Sequence, residues 1–161
     1  APPPREIVVD RNEKAAPPAS TDTAPYQFSE QIGHLLRKCY QRHLAIFQQS
    51  IPDSQLTSAQ FVALCAVREQ QPCSLADIVK ATAIDQATVR GVIERLKARS
   101  LITVSHDTKD KRKVVVALSP AGKALLEETV PFAHRISEDT FGQLNPAERV
   151  AIMYLLRKMG E

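Results

Sequence analysis

The chain has no tryptophan, and aromatic residues make up only 5% of its 161 positions. A protein that grips single-stranded nucleic acid by stacking bases on aromatic platforms needs more of them. Cysteines are few: Cys39, Cys65 and Cys73, odd in number and set in helix-like contexts. Reduced thiols fit that pattern better than a disulfide framework. Long apolar runs are missing too, and nothing approaches the roughly 18 residues that a membrane-crossing helix requires. The opening residues APPPREIVVD lack a basic stretch followed by an apolar one, so no secretory signal is expected there and a cytoplasmic protein is. Neither a nucleophile–base pair nor a glycine-rich loop suggests an enzyme. The four histidines, His34, His43, His106 and His134, show no ligand-like spacing, so no metal or other cofactor is expected.

Net charge is also small, at +3, less than an architectural DNA-coating protein would carry. The charge is unevenly placed, however. Residues 85–113 hold Arg90, Arg95, Lys97, Arg99, Lys109, Lys111, Arg112 and Lys113 against only Asp85, Glu94, Asp107 and Asp110. That local surplus exceeds the surplus of the whole chain. Basic charge gathered on one helix and one hairpin is the footprint of a protein that lies along double-stranded DNA.

Residues 1–25 hold six of the eleven prolines and many Ala, Ser and Thr. Such a segment buries too little apolar surface to offset its ordering entropy, so it reads as a tail. Its short run Ile7-Val8-Val9 could dock on a partner surface. Residues 26–161 read as one folded domain. A helix is expected from near Tyr26 to residue 50, because the residue ahead of Pro52 is pushed out of the helical region. Its apolar positions recur at three and four from Phe28 to Phe47, Cys39 among them, a position that predicts a buried and inert thiol. Thr57 caps a helix to about Arg68. Ser74 with Asp77 resembles a capping box and opens a short helix to about Ala81. Asp85 caps the next, whose inward face is Val89, Val92, Ile93 and Leu96. Two short helices joined by Thr82-Ala83-Ile84 form a helix-turn-helix.

Strands are expected at 101–105 and 113–118, joined by the polar tip HDTKDKR. Ser119-Pro120 opens a long helix to about Asp139, and Asn145-Pro146 with Glu148 opens a last one to Met159. The fold class is therefore mainly α with a small β-wing: a winged helix-turn-helix over 54–118, plus a helical dimerisation region formed by 26–50 and 120–161. The apolar stripes at 28–47, 124–136 and 150–159 lie far from the DNA module, and a second copy is the expected cover, giving a homodimer.

In this order and spacing, Leu56-Thr57 with Gln60, Thr88-Val89 with Glu94-Arg95-Leu96, the wing residues Asp107, Asp110 and Arg112, and Leu118-Ser119-Pro120-Ala121-Gly122-Lys123 resemble the MarR family over about residues 28–159. The resemblance implies a homodimeric winged helix-turn-helix repressor of pseudo-palindromic operators, released by a small aromatic acid, with regulators of aromatic or nicotinate catabolism as the nearest kin. Three features depart from it. Arg90-Gly91 stands where Thr-Arg is common, Ser100 stands in place of a helix-ending glycine, and His106 and Thr108 replace frequent wing prolines.

In a helix-turn-helix the second helix reads base edges from its N-terminal end. Gln86, Ala87 and Arg90 face outward, with Gln86 suited to adenine and Arg90 to guanine. Thr88 is a candidate for a phosphate or a thymine methyl. Gly91 allows close approach either of DNA or of the preceding helix. Arg112 is the candidate for the minor groove, with Lys109 and Lys111 on phosphates; pairing of Arg112 with Asp107 or Asp110 is the alternative. Arg95, Lys97 and Arg99 are either phosphate neighbours or solvated charges.

The family resemblance also implies an effector cleft between the dimerisation helices and the DNA-binding lobe. Its candidate lining is His34, Arg37, Tyr40 and His43 over a floor that includes Phe61 and Cys65, with His134 opposite, a set suited to an aromatic carboxylate. A cysteine-based redox switch at Cys39 is the alternative mechanism. The expected switch is one of spacing: recognition helices about 34 Å apart match successive major grooves, and ligand favours another separation.

Overall fold

The computed structural model describes residues 16–161. The Ile7-Val8-Val9 run and most of the expected tail lie outside the described residues. Residues 16–25 are exposed and join no helix or strand.

A 3-10 turn, Phe28–Glu30, precedes helix α1, Ile32–Ser50. The helix therefore starts later than expected, because Gln31 is extended and breaks the run begun at Phe28. Ile51, also extended, ends the helix ahead of Pro52. Helix α2, Ser58–Glu69, opens on a reciprocal capping box: Gln60 N–H donates to the Thr57 hydroxyl at 3.2 Å and Thr57 N–H to the Gln60 side chain at 3.3 Å. Helix α3, Leu75–Thr82, uses Ser74 and Asp77 in the same way, as expected. Ala83 adopts a left-handed conformation (φ 55°) that turns the chain into helix α4, Gln86–Ala98.

Helix α4 ends in a left-handed turn at Ser100 (φ 58°), the position where the resemblance leads one to expect glycine. Ser100 N–H donates to Lys97 O and Leu101 N–H to Leu96 O, and Leu96 and Leu101 are both buried. This is a complete Schellman motif, so its bonds and apolar contact offset a strain on the order of 1 kcal/mol for a residue with a Cβ.

Strands β2, Ile102–His106, and β3, Val114–Leu118, form the wing. A third strand, β1, Cys73–Ser74, pairs antiparallel with β3 on its other side, giving the order β1-β3-β2. Cys73 is thus a strand residue, not a helical one. Two residues are too short to show an alternating pattern. Helix α5, Pro120–Phe141, starts on a Ser119 cap, and helix α6, Pro146–Met159, starts on an Asn145–Glu148 capping box.

Two hydrophobic cores result. The larger gathers α2, α3, α4, the sheet and the first half of α5, around Leu64, Val67, Ile78, Leu96, Val116 and Leu126. The smaller, Phe47, Ile51 and Ile136, joins the end of α1 to the second half of α5. Phe61 packs against both. Large apolar side chains are left exposed on the first and last helices: Phe28, Ile32, Leu35, Leu36 and Tyr40, then Val150, Met153, Tyr154, Leu155 and Met159.

Candidate nucleic-acid interface and effector cleft

Helix α4 buries Val89, Val92, Ile93 and Leu96, the inward face expected. Gln86, Ala87, Thr88, Arg90 and Arg95 are exposed, and Gln86, Ala87 and Arg90 line one shallow depression. The Thr88 hydroxyl donates to Asp85 at 2.7 Å while Asp85 also accepts Thr88 N–H at 2.9 Å. These bonds hold the Asp85 carboxyl below the ordinary range. The proton of Thr88 is therefore committed to capping, which leaves its methyl and a lone pair for any contact outside. A Cβ built on Gly91 meets nothing within 4 Å. Close packing against α3 is thus not the reason for glycine there.

The acids of the wing organise its backbone. Asp107 accepts the N–H groups of Lys109 (2.7 Å) and Asp110 (3.2 Å), and Asp110 accepts that of Arg112 (3.1 Å). The first two bonds hold the Asp107 carboxyl below its usual range. Among the described residues the ion pairs are Arg99–Asp53 and Arg149–Glu138. The guanidinium of Arg112 is consequently not braced by Asp107 or Asp110, contrary to the alternative considered. Lys109, Lys111 and Arg112 all stand exposed on a tip whose carboxylates are occupied. Arg99 differs from both roles expected of it: it is a half-buried structural partner of Asp53.

In the second region α1 faces α5. His43 Nδ1 lies 2.9 Å from the Thr140 hydroxyl, and that hydroxyl donates to Ile136 O at 2.7 Å. A hydroxyl has one proton to give, so Nδ1 of His43 must carry the hydrogen and donate, leaving Nε2 as a free acceptor. Burial lowers the His43 pKa. Tyr40 stacks on His43 at 6.1 Å, and Phe61 meets Phe47 at 5.9 Å. Cys65 is half-buried, its thiol pushed up by desolvation.

The structure thus ties His43 and Phe61 to the same stretch of α5 near Ile136. His34 packs edge-on against Phe28 at 5.2 Å, while Arg37 and His134 are exposed, and among the described residues no hydrogen bond, ion pair or ring contact joins these three to His43. Sequence reading missed Arg42, which donates to Thr140 O (2.6 Å) and Asp139 O (2.9 Å) at the end of α5. A contact across 97 residues leaves no periodic trace. Cys39 is exposed rather than buried, so the expectation of an inert, enclosed thiol fails for this chain.

The MarR family pattern matches residues 56–114. The chain is 60% identical over 141 residues to the transcriptional repressor NicR of Pseudomonas putida, covering 88% of this chain and 89% of that protein. The chain belongs to the MarR family. Among solved MarR-type folds it superposes with a TM-score of 0.81 on BpsR of Bordetella bronchiseptica, whose DNA binding is regulated by 6-hydroxynicotinic acid; identity is 72%, over 85% of this chain and 98% of that one. A probable transcriptional regulator from Pseudomonas aeruginosa matches at 38% identity and a TM-score of 0.78, over 83% and 99%. The winged helix-turn-helix of MarR proteins is what α2 to β3 build here.

Proposed function

We propose that this chain is a homodimeric transcriptional repressor that binds pseudo-palindromic operator DNA and is released by a small aromatic carboxylate of the 6-hydroxynicotinic acid type. The observation that carries the reading is the coincidence of an exposed basic α4 and wing with close likeness to a protein whose DNA binding that acid regulates. Helices 26–50 and 120–161 supply the dimer contact, since large apolar side chains such as Leu35, Leu36, Tyr154 and Leu155 are exposed on them. Gln86, Ala87, Thr88 and Arg90 read the major groove. Arg95, Lys109 and Lys111 hold phosphates, and Arg112 enters the minor groove.

Tyr40, His43, Phe61 and Cys65 line the effector cleft. His34, Arg37 and His134 complete its rim, with Arg37 as a cation for the incoming carboxylate. A neutral His43 with a free Nε2 accepts a hydrogen bond from a ring hydroxyl or N–H. The ligand then favours a dimer whose recognition helices no longer match successive grooves. Moving occupancy from 99:1 to 1:99 takes roughly 10⁴-fold tighter binding to that form. We place the protein in the cytoplasm as a regulator rather than an enzyme; among the described residues no helix is long and apolar enough to cross a membrane.

The test begins with sedimentation of the purified chain and selection of preferred duplexes from a random pool. Competition with nicotinate, 6-hydroxynicotinate and benzoate follows. A dimer that prefers its selected duplex over random DNA by roughly 10³ or more, and releases it with one of these acids, supports the proposal. A monomer, or DNA affinity untouched by every acid, overturns it.

A further inference from the structure

The corner that ends the recognition helix, Arg99-Ser100-Leu101, is held from two directions. From α5, Ser119 donates its hydroxyl to Ser100 O at 2.7 Å and its N–H to Leu101 O at 3.1 Å. Gly122 packs so closely that an added Cβ would fall 2.1 Å from Leu101 O. From the other side comes the loop that follows α1. Asp53 Oδ2 accepts from Arg99 Nη2 at 2.5 Å, across 46 residues of chain. The chain leaving α1 and the chain entering α5 therefore meet at the same corner of α4.

Asp53 is itself rigidly seated. Its Oδ1 accepts Gln55 N–H at 2.9 Å and its backbone carbonyl accepts Leu56 N–H at 3.0 Å, and Leu56 is fully buried in the larger core. The Arg99 hydrogen bond is the main reason the Asp53 carboxyl sits below the ordinary range. Nη1 of Arg99 is buried without an acceptor, so protein encloses that end of the guanidinium and it is not offered to a phosphate. A cation at the C-terminal end of α4 also complements the helix dipole. The long planar fork of arginine is well suited to fixing an angle between two elements rather than merely attracting a charge.

We infer that Asp53 and Arg99 are positioning residues for DNA binding, their ion pair setting the tilt of α4 from the α1 side while Ser119 and Gly122 set it from the α5 side. A change in the α1–α5 angle at the effector cleft reaches the recognition helix through this corner. The inference rests on the repressor reading above.

The experiment uses full-length protein and a duplex it has itself selected from a random pool. Affinity is measured over a range of salt concentrations for the parent, Asp53→Asn, Arg99→Gln and the exchange Asp53→Arg with Arg99→Asp, with thermal melts of each. Positioning predicts that both single variants lose affinity by a similar factor, roughly tenfold for a coupled contact pair, at an unchanged salt slope, and that the exchange regains part of it. In a variant that melts early, binding at a temperature well below its midpoint gives the same reading. A direct phosphate role for Arg99 predicts the opposite. Asp53→Asn would then bind as tightly as the parent or tighter, and Arg99→Gln would flatten the slope by about 0.9. Either result overturns the inference. A parent that selects no duplex defeats the repressor reading itself, a visibly different failure.

Discussion

Nδ1 of His43 on α1 donates to the hydroxyl of Thr140 on α5, and Thr140 passes the bond on to the carbonyl of Ile136. The imidazole is thereby held in one tautomer at the edge of the smaller core.

Burial lowers the His43 pKa, so the unfolded chain binds the proton more tightly than the folded one. Stability is then complete above the ordinary imidazole value of about 6.5 and falls as pH drops from there through the lower folded-state value. Melting temperature should rise with pH across that window. His43→Asn, which keeps a donor for Thr140 but cannot titrate, should flatten this part of the profile. An imidazole resonance that titrates above the free-histidine value would contradict the assignment.

Arg42 ties α1 to the last carbonyls of α5 through two charge-assisted bonds. Arg42→Ala should destabilise the protein by about 1.5 kcal/mol, the low end of the roughly 1.5–3 kcal/mol range for a hydrogen bond to a charged group, because Arg42 is exposed. Chemical denaturation measures it. Arg42→Lys, a point charge without the fork, should recover only part of the loss.

Two glycines should respond in opposite ways to alanine. Gly91→Ala adds a methyl in open space within a helix and should stabilise by about 0.5–1 kcal/mol. On the proposed reading of α4 as the recognition helix, its DNA affinity should nevertheless fall, as expected for a methyl added on the face turned to the duplex. Gly122→Ala drives a Cβ into Leu101 O and should destabilise by about 1–3 kcal/mol or more. Denaturant midpoints and duplex affinities for the two variants decide both points.

Arg90 and Lys109 should separate base reading from phosphate binding. Arg90→Ala should cost about 1–3 kcal/mol on the selected duplex and relax preference at one base pair. Lys109→Ala should weaken selected and random duplexes alike and flatten the salt slope by about one unit. The same uniform loss from both variants would refute the division of labour.

Much of this architecture was legible because its signals are local. Asp85, Ser74, Ser119 and Asn145 cap the helices they were expected to cap, and each acts within three residues of itself. The buried face of α4 follows from spacing alone. What escaped was non-local or too short: the β1 pairing of Cys73 with Val116, the Arg99–Asp53 pair and the reach of Arg42 to α5. Cys39 was misjudged for a related reason. Its place on an apolar stripe is real, but among the described residues that part of α1 is left uncovered, and the thiol is exposed. Of the proposed effector cleft, the pairing of Tyr40 with His43 could be read from their spacing on one helix; the Thr140 hydroxyl that orients the imidazole could not.

Because one aromatic ring, that of Phe61, is what the two cores have in common, the molecule has a seam along which it can come apart in stages. Amide hydrogens at the end of α1 and in the second half of α5 should exchange with solvent as one cooperative block, and those of α2, α4 and the sheet as another with its own opening free energy.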